Sequence, residues 1–140
     1  MNKETLASFF ETLHEEVSLE AFGTIYDDAV VFKDPFNDVK GISALYRVFQ
    51  EMYQSLDNPR FIIHEYVEHQ DIAYVKWDFI FNFKNDTTEH RFTGVSRLEM
   101  NAEGKIVSHV DFWDAAEHIY EKIPLLGSLL RFAKRKIAGN

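Results

Sequence analysis

Ile72-Ala73-Tyr74-Val75-Lys76-Trp77-Asp78-Phe79-Ile80-Phe81-Asn82-Phe83-Lys84 reads as a β-strand, because its side chains alternate in character with a period of two. Val75, Trp77, Phe79, Phe81 and Phe83 fall on one side, while Lys76, Asp78 and Asn82 share the other with Ile80. A stripe of aromatic rings this large is costly to leave in water, so it must face a second layer. Turn clusters bracket the strand at His69-Gln70-Asp71 and Lys84-Asn85-Asp86, and another follows at Asn101-Ala102-Glu103-Gly104. They divide the region into strands over 60–69, 72–84, 87–100 and 105–113, and strands joined by such short turns form an antiparallel meander.

Upstream of Arg60 the period lengthens. Leu6, Phe9, Phe10, Leu13 and Val17 recur at spacings of three and four, which predicts a first amphipathic helix. Ser18 is placed to cap a short second helix carrying Phe22, Ile25 and Tyr26 and ending at Asp27-Asp28. Val30-Val31-Phe32 reads as a brief strand that stops at Asp34-Pro35, since proline cannot donate to a ladder. Gly41 opens a third helix with Ile42, Leu45, Phe49, Met52 and Leu56 inside, and Asp57-Asn58-Pro59 closes it. The expected class is therefore α+β, with N-terminal helices packed on a curved, four-stranded antiparallel meander. The 140 residues suit one domain, a core to residue 120 followed by a helical extension over 121–140.

Composition narrows the function. The chain has no cysteine, so disulfides, thiolate nucleophiles and sulfur-ligated metals are out, and a reducing, cytoplasmic location is expected. The longest apolar stretch, Ile123 to Leu130, is broken by Pro124 and Gly127, and no apolar run follows Lys3; neither a membrane span nor a signal peptide is expected. The net charge is -8, and the last ten residues hold four of the 15 basic side chains and none of the 23 acidic ones. The rest of the chain is thus strongly acidic and would repel a phosphate backbone, which argues against nucleic acid as a partner. Aromatics make up 15% of residues, with 13 Phe, a surplus that points to an aromatic-lined cavity for a small apolar molecule.

Tyr26-Asp27-Asp28-Ala29-Val30-Val31-Phe32-Lys33-Asp34-Pro35-Phe36, then Gly41, then Gly104-Lys105-Ile106-Val107-Ser108-His109-Val110-Asp111-Phe112-Trp113-Asp114 follow one another in an order and spacing that resembles the nuclear transport factor 2-like superfamily. That cone-shaped fold is shared by ketosteroid isomerase and SnoaL-like polyketide cyclases, and the resemblance covers residues 3 to about 120. It places Asp34 where the isomerase has its general base, but Phe9 and a position near Ser96 stand where the isomerase has its two oxyanion donors, so steroid isomerisation is disfavoured. It places Asp111 where SnoaL-like cyclases look for an acid/base carboxylate on the last strand. The Asp-Arg-Asp arrangement of limonene epoxide hydrolase would need Arg97, which alternation groups with Val95 and Glu99, outside.

Alternation sets His109, Asp111 and Trp113 on one face of the last strand, with Ser108, Val110 and Phe112 on the other. Asp111 beside Trp113 is the leading acid/base candidate; burial would raise its pKa, unless a basic neighbour pairs with it. His109 lies within reach of Asp111 and either assists it or sits hydrogen-bonded at the rim. Asp34 either assists at the cavity mouth or starts a turn. Trp77, Phe79, Phe81, Trp113 and Phe36 are the candidate ligand walls, with plain core packing as the alternative. His64, Glu65 and His69 do not make a metal site, since only Glu65 and His69 share a face. No metal or organic cofactor is expected. The chemistry these residues imply is cofactor-free acid/base work of cyclase, isomerase or hydrolase type, with a non-catalytic binding or dimerisation domain as the competing reading.

The tail from Ile123 to Ile137 reads as a C-terminal helix with Pro124 in its first turn. Leu and Phe beside four cations fit membrane-surface contact through residues 124–137. Packing across a pocket mouth or against a dimer partner is preferred, because one short helix anchors weakly. The resemblance further implies a homodimer formed through the open sheet face.

Overall fold

The computed structural model describes residues 1–119 and 126–139. The first helix, α1 (Lys3–Glu11), starts where the Asn2 side chain accepts the Thr5 N–H at 2.8 Å. It is shorter than the periodicity predicts: it ends at Glu11, and Leu13 and Val17 pack from the following loop. Ser18 caps α2 (Leu19–Phe22) by accepting the Ala21 N–H at 3.2 Å. Tyr26 is not helical. It opens β1 (Tyr26–Lys33), longer than the brief strand expected, and β1 turns back into β2 (Asp38–Lys40), which the sequence reading lacks altogether.

Helix α3 (Ile42–Ser55) has no side-chain cap; Gly41 stands before it at φ 91°, a backbone setting that costs any residue with a Cβ. Leu56, expected inside this helix, already belongs to the next strand. That strand, β3 (Leu56–His69), runs through Asp57-Asn58-Pro59 as an irregularity, with Asn58 at φ 50°. β4 (Ile72–Phe83), β5 (Glu89–Met100) and β6 (Ile106–Phe112) follow with turns at the expected places, Gln70, Asn85 and Gly104 taking positive φ.

These strands make one six-stranded sheet in the order β2-β1-β6-β5-β4-β3. The expected four-stranded antiparallel meander is its larger part, but the whole is mixed, because β1 lies parallel to β6 with Phe32 opposite His109. Hairpin signals report only neighbours joined by a turn; the β1–β6 pairing joins segments far apart in sequence and leaves no such signal. One face of the sheet receives α1, α2 and α3, and the core lies between them: Leu6, Phe10, Phe22, Leu45 and Phe49 from the helices against Tyr26, Phe32, Val75, Trp77, Phe79, Phe81 and Phe92. A second lock fastens α1 to the sheet. The Glu11 carboxylate accepts the Ile63 N–H at 2.9 Å, beside the register break between Ile63 and Glu65.

After β6 come α4 (Ala115–His118) and α5 (Leu126–Ile137). Pro124, expected in the first turn of the tail helix, lies outside the described residues. On α5, Leu129, Phe132 and Ile137 are exposed. Among the described residues no helix is long and apolar enough to cross a membrane.

The other face of the sheet carries a buried carboxylate, Asp78. Thr93 donates to it at 2.6 Å, Arg91 donates through Nε at 2.7 Å with Nη2 also 2.7 Å from the carboxylate, and His64 Nε2 lies 3.1 Å away. The Thr93 hydrogen bond, then His64 and Arg91, hold the Asp78 carboxyl down at about 2 against the opposing effect of burial. A carboxyl depressed on folding stabilises above its unfolded pKa of about 4 and loses that contribution as pH falls toward about 2. Asp78→Asn is expected to cost about 2 kcal/mol at pH 7, with the gap to the parent protein narrowing between about pH 4 and pH 2. Urea unfolding across that range checks this; a gap that stays constant would contradict it.

Candidate functional site

Five polar side chains form a hydrogen-bonded row across four adjacent strands on the helix-covered face. Tyr26 on β1 bonds His109 Nδ1 on β6 at 2.8 Å, and His109 Nε2 bonds Asp111 Oδ1 at 2.7 Å. Ser96 on β5 donates to the same Asp111 oxygen at 2.5 Å, and Trp77 on β4 donates its indole N–H to Ser96 Oγ at 2.8 Å. The alternation of β6 makes this possible, because His109 and Asp111 lie two residues apart on one face.

The direction of each bond follows from the donors available. Indole N–H only donates, so Ser96 accepts from Trp77 and turns its own O–H toward Asp111. Burial pushes the Tyr26 phenol well above its usual pKa and the charge of Asp111 adds to the effect, so the phenol keeps its proton. A carboxylate only accepts, so the neutral imidazole turns its proton on Nε2 toward Asp111 Oδ1 and leaves Nδ1 to accept the Tyr26 O–H. Both ends of the row thus deliver hydrogen bonds to Oδ1. Among the described residues none falls on Oδ2.

His109 itself is nearly inaccessible, enclosed by Phe10, Tyr26 and Phe32 rings at 5.0 to 6.2 Å between centroids. Asp111 is more open and lines a small inner space and a larger outer one, and with Lys33 and Asp34 it borders a third hollow. The inner one, about 20 Å³, is bounded by Phe10, Ile63, Ser96, Leu98 and His109 and has room for one water-sized group. The outer one, about 350 Å³, lies within the range of small-molecule sites. Its walls are Phe61, Trp77, Phe79, Phe81, Phe92 and Trp113, with Phe36 and Met52 at the side and Asp34, Asn37 and Glu51 among its polar groups.

The structure therefore brings Asp111 and His109 into contact and sets Trp77, Phe79, Phe81, Trp113 and Phe36 around one cavity. Trp113 stacks on Phe92 at 4.5 Å and meets Phe36 edge-on at 5.4 Å. Asp34 stands at the cavity but not in the row. Its carboxylate accepts the Phe36 and Asn37 backbone N–H groups at 2.8 and 2.6 Å and the Asn37 side-chain amide as well, so it builds the turn between β1 and β2. Arg97 lies on the other face, 3.7 Å from Glu99. Sequence reasoning missed Tyr26, Ser96, Phe61 and Glu51. Alternation along β5 groups Ser96 with Phe92, Gly94 and Leu98 and would have found it, but along β1 it breaks between Tyr26 and Val31, where Asp28, which it would turn inward, is exposed. Among the described residues no cluster of three His, Cys, Asp or Glu side chains is arranged to hold a metal ion.

An α+β domain with N-terminal helices on a six-stranded mixed open sheet is the nuclear transport factor 2-like fold. Residues 6–109 match the model of the SnoaL-like domain, and the chain belongs to that family. Solved structures agree on the fold. A protein of Catenulispora acidiphila with a ketosteroid isomerase-like fold, in complex with trimethylamine, superposes with a TM-score of 0.70 at 14% identity, covering 85% of this chain and 91% of its own. TerC, co-crystallised with polyporic acid, gives 0.68 at 16% identity, over 81% and 90% of the two chains. A SnoaL-like family member of Agrobacterium tumefaciens gives 0.64 at 19% identity, over 79% and 92%. No curated protein matches the chain in sequence.

Gly94 holds the row's far end. A Cβ built there would sit 2.3 Å from the Trp77 ring, so only glycine lets the indole lie flat across β5 and reach Ser96. Gly94→Ala is expected to lower stability by about 1–3 kcal/mol and to shift tryptophan emission as the ring is displaced. Equilibrium denaturation followed by fluorescence measures both; an unchanged midpoint and spectrum would contradict the packing argument.

Proposed function

We propose that this chain is a small-molecule enzyme of the SnoaL-like type that transfers protons at Asp111 without a metal or organic cofactor. The observation that carries the proposal is the asymmetry of the Asp111 carboxylate. Oδ1 takes hydrogen bonds from His109 and Ser96, while Oδ2 receives none among the described residues and belongs to a side chain that lines a cavity of about 350 Å³. A carboxylate fixed in orientation, with one oxygen left for substrate and aromatic walls that limit water, is suited to removing a proton from a bound molecule and returning it elsewhere.

The roles divide accordingly. Asp111 exchanges the proton. His109 is a positioning residue whose Nε2–H fixes Oδ1, and Tyr26 fixes the His109 tautomer from behind. Trp77, Phe79, Phe81, Trp113 and Phe36 hold the body of the ligand. Asp34 contributes charge at the cavity and the shape of its rim; its oxygens are occupied by Asn37 and the Phe36 N–H, which favours Asp111 as the reacting group. Relatives bound to trimethylamine and to polyporic acid support a pocket that takes small organic molecules.

Exchange of α-hydrogens for deuterium in small cyclic ketones, N-methylpiperidone among them, tests the proposal by NMR. The parent protein is expected to accelerate exchange, and Asp111→Asn to reduce that acceleration by about 100-fold or more while ligand-induced thermal stabilisation persists. If exchange is the same in Asp111→Asn, the chain is a binding module and not this enzyme.

A further inference from the structure

The larger cavity is charged as well as aromatic. Asp34, Glu51 and Asp111 all line it, and among its described lining residues there is no Lys, Arg or His. His109 borders only the inner space, and the arginines nearest in the fold's order of strands, Arg91 and Arg97, project from the opposite face, where they engage Asp78 and Glu99. Lys33 lines only the neighbouring hollow, which Asp34 and Asp111 also border. Three carboxylates around a space walled by ring faces, with no basic side chain among its described lining residues, set up a negative potential in a setting of reduced dielectric. An anionic ligand would be repelled there. A neutral one would gain only contact.

We propose that the ligand of this pocket carries a positive charge, as a tertiary or quaternary ammonium group on a small apolar body. The proposal rests on the preceding reading of the cavity as a binding site and gives that site its substrate class. Two separate features of the walls favour such a cation. Trp77 and Trp113 present indole rings, the strongest aromatic partners for an ammonium group, with Phe36 and Phe92 packed beside Trp113. Glu51, on the exposed side of α3, supplies a carboxylate that the hydrogen-bonded row does not use. A methylated ammonium spreads its charge over a greasy surface and loses less hydration on entry than a primary amine does, so it suits walls that offer rings and few acceptors.

Isothermal titration of the full chain with choline, and with the neutral alcohol in which a tert-butyl group replaces trimethylammonium, separates charge from shape. The cation is expected to bind at least about tenfold more tightly than its isostere at low salt. Glu51→Gln, a change on an exposed helix position, is expected to weaken the cation severalfold and leave the isostere unchanged. Equal or tighter binding of the isostere would overturn the cationic ligand and leave the pocket reading standing. If neither molecule binds at millimolar concentration, the cationic ligand and the reading of the cavity as a binding site both fail.

Discussion

The row from Tyr26 through His109, Asp111 and Ser96 to Trp77 crosses β1, β6, β5 and β4 in the order in which those strands lie in the sheet. Backbone ladders hold each strand to its neighbour, but this row is made of side chains on the buried face, where an unpaired polar group would cost about 1–3 kcal/mol. Each member therefore depends on the next. The parallel pairing of β1 with β6 brings Tyr26 beside Ile106 and sets the phenol over the imidazole; without that pairing His109 would be a buried ring with one nitrogen unsatisfied.

Function grows out of the same constraint. A row with donors at both ends and one acceptor in the middle ends on a single carboxylate oxygen, and this orients the second oxygen without any further device. The packing around it is aromatic almost throughout, with Phe10, Phe32 and Tyr26 enclosing His109 and the larger cavity opening on the other side of Asp111. Rigid rings lose little conformational freedom on burial and leave gaps between their edges, so an aromatic surplus makes a core and a cavity at once.

Much of this was legible in the sequence because the relevant residues alternate. The period of two in β4 and β6 assigned Trp77, Phe79 and Phe81, and then His109, Asp111 and Trp113, to the helix-covered face, since a strand with one buried side has one admissible register. What was not legible arises where local signals favour a different structure. Phe22, Ile25 and Tyr26 are spaced as on a helix, and only the distant partner strand β6 makes Tyr26 extended. Asn58-Pro59 has the composition of a loop, yet it passes through β3 as an irregularity that its pairing with β4 tolerates. Asp34 precedes a proline, and the turn it builds with Asn37 creates β2, a strand too short to show a period.

The free Oδ2 of Asp111 depends on which way the protons point along the row. Nitrogen-15 NMR of the His109 ring reads this directly, since the two nitrogens differ in shift according to which one is protonated. Below the pH at which Tyr26 loses its proton, the neutral ring is expected to carry its hydrogen on Nε2, with Nδ1 bare and hydrogen-bonded. A ring protonated on Nδ1 alone would reverse the bonds to both Tyr26 and Asp111 and contradict the assignment of Oδ2 as the oxygen left for substrate.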